Sequence, residues 1–166
     1  MELYILRHAI AIPRGTLVYP NDDRPLTKEG ISKMKEVAKG MAKILPRLDA
    51  VISSPLVRAR HTAELAVDAL PFDGSIEISE QLLPGSLLQD LYQMLSRFNA
   101  GQNILLVGHE PDLGLLVSAL LGAKGSVIEF KKGGLCCVEV DKLPPARGAL
   151  LRWHLSPKQL RLLGRK

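Results

Sequence analysis

At 166 residues, with 46% hydrophobic and 23% charged side chains, the chain has the balance of a folded globular protein and the length of one domain, so disorder is excluded and residues 1–166 are expected to form a single unit. The net charge of +5 would suit a polyanion, yet Lys28, Lys35, Lys39 and Lys43 fall on one helix face interrupted by Glu29 and Glu36, and Arg161, Arg165 and Lys166 fall in the tail. With three Phe, three Tyr and one Trp for base stacking, nucleic acid is not the expected partner, although the surplus charge would draw anionic substrates inward.

Glu2 to Leu6 reads as a short buried strand that stops at Arg7 and His8, followed by small Ala9. A cation and an imidazole at the carboxyl end of a buried strand stand where open α/β sheets bind ligands. Strand residues begin at once, so a basic and apolar leader is not expected. Residues Ile10 to Leu26, with Pro13, Gly15, Pro20, Asn21 and Pro25, read as a loop. Its Arg24 could reach a phosphate or form an exposed loop salt bridge. Thr27 is the expected N-cap of a helix whose core stripe is Ile31, Met34, Ala38, Met41 and Leu45, running to about Pro46.

A second strand is expected at Ala50–Ile52. Ser53 to Thr62 opens a helix with Pro55 in its first turn, Arg58 about one turn inside and Thr62 on the same side as Arg58. A strand around Ile76–Ile78 leads to Glu80, a Pro84-Gly85 turn and an amphipathic helix through Leu87, Leu88, Leu91, Leu95 and Phe98. Asn103 to Gly108 is almost wholly apolar, the pattern of a strand covered on both faces, and it ends in His109-Glu-Pro-Asp112 before a helix over Leu113–Leu121. That helix is the longest apolar run, too short to span a bilayer and broken by Gly114 and Ser118, so the expected location is the cytoplasm. Strands are expected near Val127–Phe130, Leu135–Val140 and Ala149–Leu155, and Ser156-Pro-Lys-Gln159 is a capping box for a final helix. Cys136 and Cys137 are adjacent, so on a strand they face opposite ways as unpaired core and surface thiols. The alternation of helix and strand makes the fold α/β, a mainly parallel central sheet with helices on both faces.

Two strand ends present histidines, and Arg7 and Arg58 bring guanidinium groups that stay charged and fit phosphoryl oxygens. Arg7, His8, Arg58 and His109, with the positive end of the helix near Pro111, would repel one another without an anion, since no compensating carboxylate cluster is evident. In such a pocket a neutral His8, near its ordinary pKa of about 6.5, has a lone pair for phosphorus while a backbone carbonyl holds its other nitrogen as N–H. Arg7, Arg58 and His109 would hold the equatorial oxygens.

Leu6-Arg-His-Ala9, Ser54-Pro-Leu-Val-Arg-Ala59 with Thr62, and Val107-Gly-His109 resemble, in order, the three signature segments of the histidine phosphatase (phosphoglycerate-mutase-like) superfamily. The short length, Arg24-Pro-Leu-Thr27, Leu83-Pro-Gly85, His109-Glu-Pro-Asp-Leu113 and Trp153-His-Leu-Ser-Pro157 resemble its small SixA-type phosphohistidine phosphatases over nearly the whole chain. The resemblance implies a three-layer sandwich, His8 as the phosphorylated residue, Arg7, Arg58 and His109 completing the pocket, and neither metal nor cofactor. Two positions depart from the pattern: Ala9 replaces the usual Gly, and His61 stands where Gln is common. His61 is expected on a partly exposed helix face, and His154 beside Trp153 as a structural residue.

Cleavage of an alkyl phosphate needs a proton donor, worth about 10²–10⁴-fold. Glu80, in the region from which mutase-like relatives supply an acid, and Glu110, after the second histidine, are the two candidates, equally readable as an ordinary loop carboxylate and a helix-start charge. Phosphohistidine lessens the need, because protonated phosphoimidazole departs as neutral imidazole. The expected activity is therefore removal of phosphate from phosphohistidine on a phosphorelay or phosphotransfer protein through an enzyme phosphohistidine. Alternatives are a small-molecule phosphomonoesterase of the same superfamily and a phosphoprotein-binding module without turnover. His109-Glu-Pro-Asp-Leu113 lacks the second histidine of a zincin, and neither a nucleophile elbow nor a phosphate-binding P-loop occurs. Oligomeric state has no signature in the chain.

Overall fold

The computed structural model describes residues 1–145 and 148–165; Lys166 of the basic tail lies outside the described residues. Six strands, β1 (Glu2–Arg7), β2 (Ala50–Ser53), β3 (Ile76–Ile78), β4 (Asn103–Gly108), β5 (Leu135–Glu139) and β6 (Leu150–Leu155), form one sheet in the order β3-β2-β4-β1-β5-β6. The pairs β1–β4, β2–β4 and β2–β3 are parallel, and β5 is antiparallel to both β1 and β6, so β5 alone runs against the others.

Period-two alternation places successive residues on opposite faces. Tyr4, Leu6, Leu105 and Val107 pack on one side with α1 (Lys28–Met41), α2 (Val57–Val67) and α5 (Pro157–Leu163). Leu3, Ile5, Ile104 and Leu106 pack on the other with α3 (Leu88–Leu95) and α4 (Asp112–Leu120). This is the expected three-layer α/β arrangement. Because helices cover both faces, Cys136 and Cys137 do point to opposite sides, but both are buried core thiols, which corrects the expected surface position of one of them. Among the described residues no helix is long and apolar enough to cross a membrane.

Thr27 caps α1 by accepting from Gly30 N, and Ser156 with Gln159 forms the capping box of α5. Three expectations change. Helix α1 ends at Met41, and its last stripe residue, Leu45, is reached by a turn in which Leu45 N donates to Met41 O. Helix α2 starts at Val57 with Leu56 as N-cap, so Pro55 precedes it and Arg58 lies in its first turn rather than a turn inside. Residues 127–130 form no strand. Val127 N donates to Ser118 Oγ and Phe130 N to Glu110 Oε1, so side chains rather than a neighbouring strand satisfy this backbone.

The loop after β1 is pinned to α1 close to the strand end. Thr27 N donates to Ile10 O, and a Cβ at Gly30 would stand 2.0 Å from that oxygen. Only glycine permits this approach, which fixes the chain two residues beyond His8.

Candidate active site

Parallel register brings the two histidines together. Arg7 pairs with Gly108 across β1 and β4, so His8 and His109 are the next residue on each strand end, and their rings lie 5.1 Å apart. Ser53 pairs with Val107, which puts Ser54 and the start of α2 at the same carboxyl edge. Arg7, His8, Arg58, His109 and Glu110 line one pocket of about 300 Å³ with Arg14, Arg24, Lys132, Pro13 and Pro84. All four residues expected at the pocket therefore meet there, as does Arg24.

His8 is buried, and its Nδ1 lies 2.7 Å from Ala9 O. A carbonyl only accepts, so Nδ1 carries the hydrogen and Nε2 keeps the lone pair. Arg58 Nε donates to that Nε2 at 3.3 Å. Ala9 N donates to Thr62 Oγ1, and Thr62 Oγ1 to Arg58 O, which ties the His8 segment to α2. No described non-glycine residue has a positive φ, so Ala9 fills the place of the usual Gly without backbone strain.

His109 shares a 2.8 Å hydrogen bond between Nε2 and Ser54 Oγ. In the tautomer where the Ser54 hydroxyl donates to Nε2, the ring hydrogen of His109 lies on Nδ1. That Nδ1 and Arg7 Nε are buried with no hydrogen-bond partner among the described residues. Unsatisfied buried donors beside a cationic pocket are what an oxyanion would complete. Arg7 is held through Nη1 on Phe130 O. The amino end of α4 contributes less than expected, because Leu113 N is taken by His109 O and Gly114 N by Glu110 Oε2.

The sequence offers no compensating carboxylate cluster, and the structure places a single carboxylate, Asp22, among the arginines. Its Oδ2 lies 2.9 Å from Arg58 Nη2, and its Oδ1 takes Arg24 Nε and Arg14 Nε, each at 3.2 Å. Burial opposes the charge of Asp22, but hydrogen bonds from Arg58 and Arg14 outweigh it and lower its pKa to about 2. Arg24 is only 8% exposed and also donates to Ile12 O, so it is a buried pocket residue, not an exposed loop ion pair.

The two acid candidates separate. Glu80 is exposed, in a 3-10 turn over Glu80–Leu82, and Pro84 rather than Glu80 lines the pocket. Glu110 lines it, but Oε1 accepts from Phe130 N and Oε2 from Gly114 N. His61 is half-buried on α2 and is not a lining residue of this pocket. His154 packs against Phe130 with ring centroids 5.0 Å apart and the planes tilted by 60°, the structural position expected of it. Sequence reasoning missed Asp22, Arg14, Lys132 and the Ser54–His109 contact. The only signal for Asp22 was its place two residues before Arg24.

Burial, reinforced by Arg58 and Arg7, pushes His8 down to about 3; burial, reinforced by His8 and Arg58, does the same to His109. Both rings are therefore neutral in the folded protein at pH 7, as a nucleophilic lone pair requires. Unfolded histidine titrates near 6.5, so between pH 6.5 and 3 the unfolded chain binds more protons and stability falls as pH falls. Each ring is expected to cost about 1.4 kcal/mol at pH 5.5 relative to neutral pH. Urea denaturation at pH 7.5 and 5.5 checks this: His8→Asn should lose less stability on acidification than the wild type, and an equal loss would contradict the assignment.

Residues 3–83 match the family model of the histidine phosphatase superfamily (branch 1). An uncharacterized protein of Picosynechococcus sp. is 36% identical over 139 residues, covering 81% of this chain and 82% of that one. The phosphohistidine phosphatase SixA of Escherichia coli is 26% identical over 166 residues, covering 98% of each chain. The structure of the protein histidine phosphatase SixA complexed with tungstate superposes with a TM-score of 0.83 at 25% identity, covering 96% of this chain and 99% of that one.

Proposed function

The chain belongs to the histidine phosphatase superfamily, and from that premise we propose that it removes phosphate from a phosphohistidine on a phosphorelay or phosphotransfer protein, acting as a single domain with His8 as nucleophile. The neutral Nε2 of His8 attacks phosphorus, the N–P bond of the substrate breaks, and the protonated substrate ring leaves as neutral imidazole. The enzyme phosphohistidine keeps its Nδ1–H on Ala9 O and carries the ring charge there. Water then attacks phosphorus, the second N–P bond breaks, His8 returns to its neutral form, and the proton of water leaves with phosphate or solvent. Arg7, Arg58 and His109 stabilise the equatorial oxygens in both steps, with Arg24 and Lys132 supplying charge at the rim. These steps use side chains of this chain alone, without a metal or other cofactor.

The observation that carries the choice of substrate is the state of the carboxylates. Glu110 accepts from two backbone amides, Asp22 is ionised on three arginines, and Glu80 lies in solvent. None is placed as a proton donor to a departing alkoxide, and a phosphoramidate does not require one. The similarity to the phosphohistidine phosphatase SixA supports the same substrate class.

The test offers a phosphohistidine protein and a panel of sugar phosphates to the wild type, Glu80→Gln and Glu110→Gln. The expected result is preference for the protein, with either substitution changing its turnover less than about tenfold, below the usual contribution of a general acid. Preference for the sugars with a strict need for Glu80 or Glu110 would instead make the enzyme a small-molecule phosphomonoesterase.

A further inference from the structure

The hydrogen bonds of Arg58 divide its guanidinium into two edges. A guanidinium is planar and carries one N–H on Nε and two on each Nη. Nη1 donates to the backbone oxygen of Asp22 at 2.7 Å and Nη2 to its carboxylate at 2.9 Å, while Nε donates to His8 Nε2 at 3.3 Å. Because the group is rigid, holding both Nη atoms sets the direction of Nε. Asp22 is braced in turn: Arg24 reaches its Oδ1 through Nε at 3.2 Å and Nη2 at 3.1 Å, and the remaining Arg24 nitrogen donates to Ile12 O. A continuous set of contacts therefore runs from Ile12 through Arg24, Asp22 and Arg58 to the reacting nitrogen.

We propose that Asp22 is a positioning residue of the phosphoryl-transfer step, an inference that rests on His8 as the attacking nitrogen: it grips the outer edge of Arg58 and so aims Nε at the place where a phosphoryl oxygen meets His8. Asp22 hydrogen-bonds neither histidine; its partners are Arg14, Arg24 and Arg58. The carboxylate also offsets one of the cations around the pocket, so its loss should not weaken the hold on an anion. The two consequences oppose each other, and this makes the role measurable. Without Asp22 the transfer slows, because a guanidinium displaced by an ångström costs up to about 10²-fold in rate. Affinity for orthophosphate stays level or rises, because a nearby negative charge has gone.

The experiment follows phosphorylation of His8 by phosphoramidate in a single turnover, alongside orthophosphate affinity and melting temperature, for the wild type, Asp22→Asn and Asp22→Ala. Phosphoramidate is small, so the rate does not depend on which protein is the natural substrate. The expected rates fall about tenfold in Asn, whose amide oxygen still accepts from Arg58, and about 30- to 100-fold in Ala, with orthophosphate bound as well as or better than by the wild type. A wild-type rate in Asp22→Ala with tighter orthophosphate would make Asp22 a competitor and overturn the proposal. A parallel fall of rate, affinity and melting temperature would make it a strut of the loop and overturn it equally. Failure of the wild type to label His8 would remove the nucleophile, and Asp22's role with it. Labelling of the wild type with equal rates in both variants would remove the role of Asp22 alone.

Discussion

Replacing His8 with alanine is expected to lower turnover of a phosphohistidine substrate by on the order of 10⁴-fold or more and to abolish acid-labile phosphate on the enzyme. The magnitude follows from what the ring supplies. Its Nε2 keeps an unprotonated lone pair, because Ala9 O holds the hydrogen on Nδ1, and the contact on that lone pair, from Arg58 Nε, is a long one of 3.3 Å. Its depressed pKa of about 3 keeps that nitrogen unprotonated at neutral pH. His109, 5.1 Å away, cannot take over, because its Nε2 is bound to Ser54 Oγ. Rapid mixing with a phosphohistidine protein, acid-free quenching and intact-mass measurement would show a phosphate adduct in the wild type and none in His8→Ala. An adduct that survives the substitution would move the nucleophile elsewhere.

The parts of this arrangement that were legible in the sequence are those written in neighbouring residues. Leu3 to Leu6 and Ile104 to Val107 read as buried strands because helices cover both sheet faces, so every position is apolar and the polar break at each end is sharp. That break located His8 and His109. Long-range hydrogen bonds were not legible. Val127 to Phe130 has strand-like residues, yet Ser118 and Glu110 take its amides, and nothing in local periodicity records this. Asp22 lies in a proline-rich loop with no repeat, 36 residues from the arginine it grips. The two acid candidates were equal in the sequence because both follow strands. They separate only once a 3-10 turn carries Glu80 to solvent and two backbone amides claim Glu110.

Arg58→Ala is expected to lower turnover on the order of 10³-fold, and Arg58→Lys to recover at most about tenfold of that. Arg58 is 1% exposed and uses all three nitrogens on fixed partners, so both its charge and its planar fork are lost in alanine. Lysine restores a charge but cannot hold Asp22 through two atoms and still reach His8. The fold should survive, because Asp22 keeps Arg14 and Arg24 as partners and remains in contact with water. Orthophosphate affinity should fall along with turnover, since a cation has gone while the anion of Asp22 stays beside the pocket. Asp22→Ala, by contrast, should lose rate while keeping affinity. Equilibrium titration with orthophosphate and single-turnover rates on the two variants would therefore give opposite pairs of results. If Arg58→Ala bound orthophosphate as well as the wild type, Arg58 would not be a ligand of the transferred group, and the pocket would need another cation in its place.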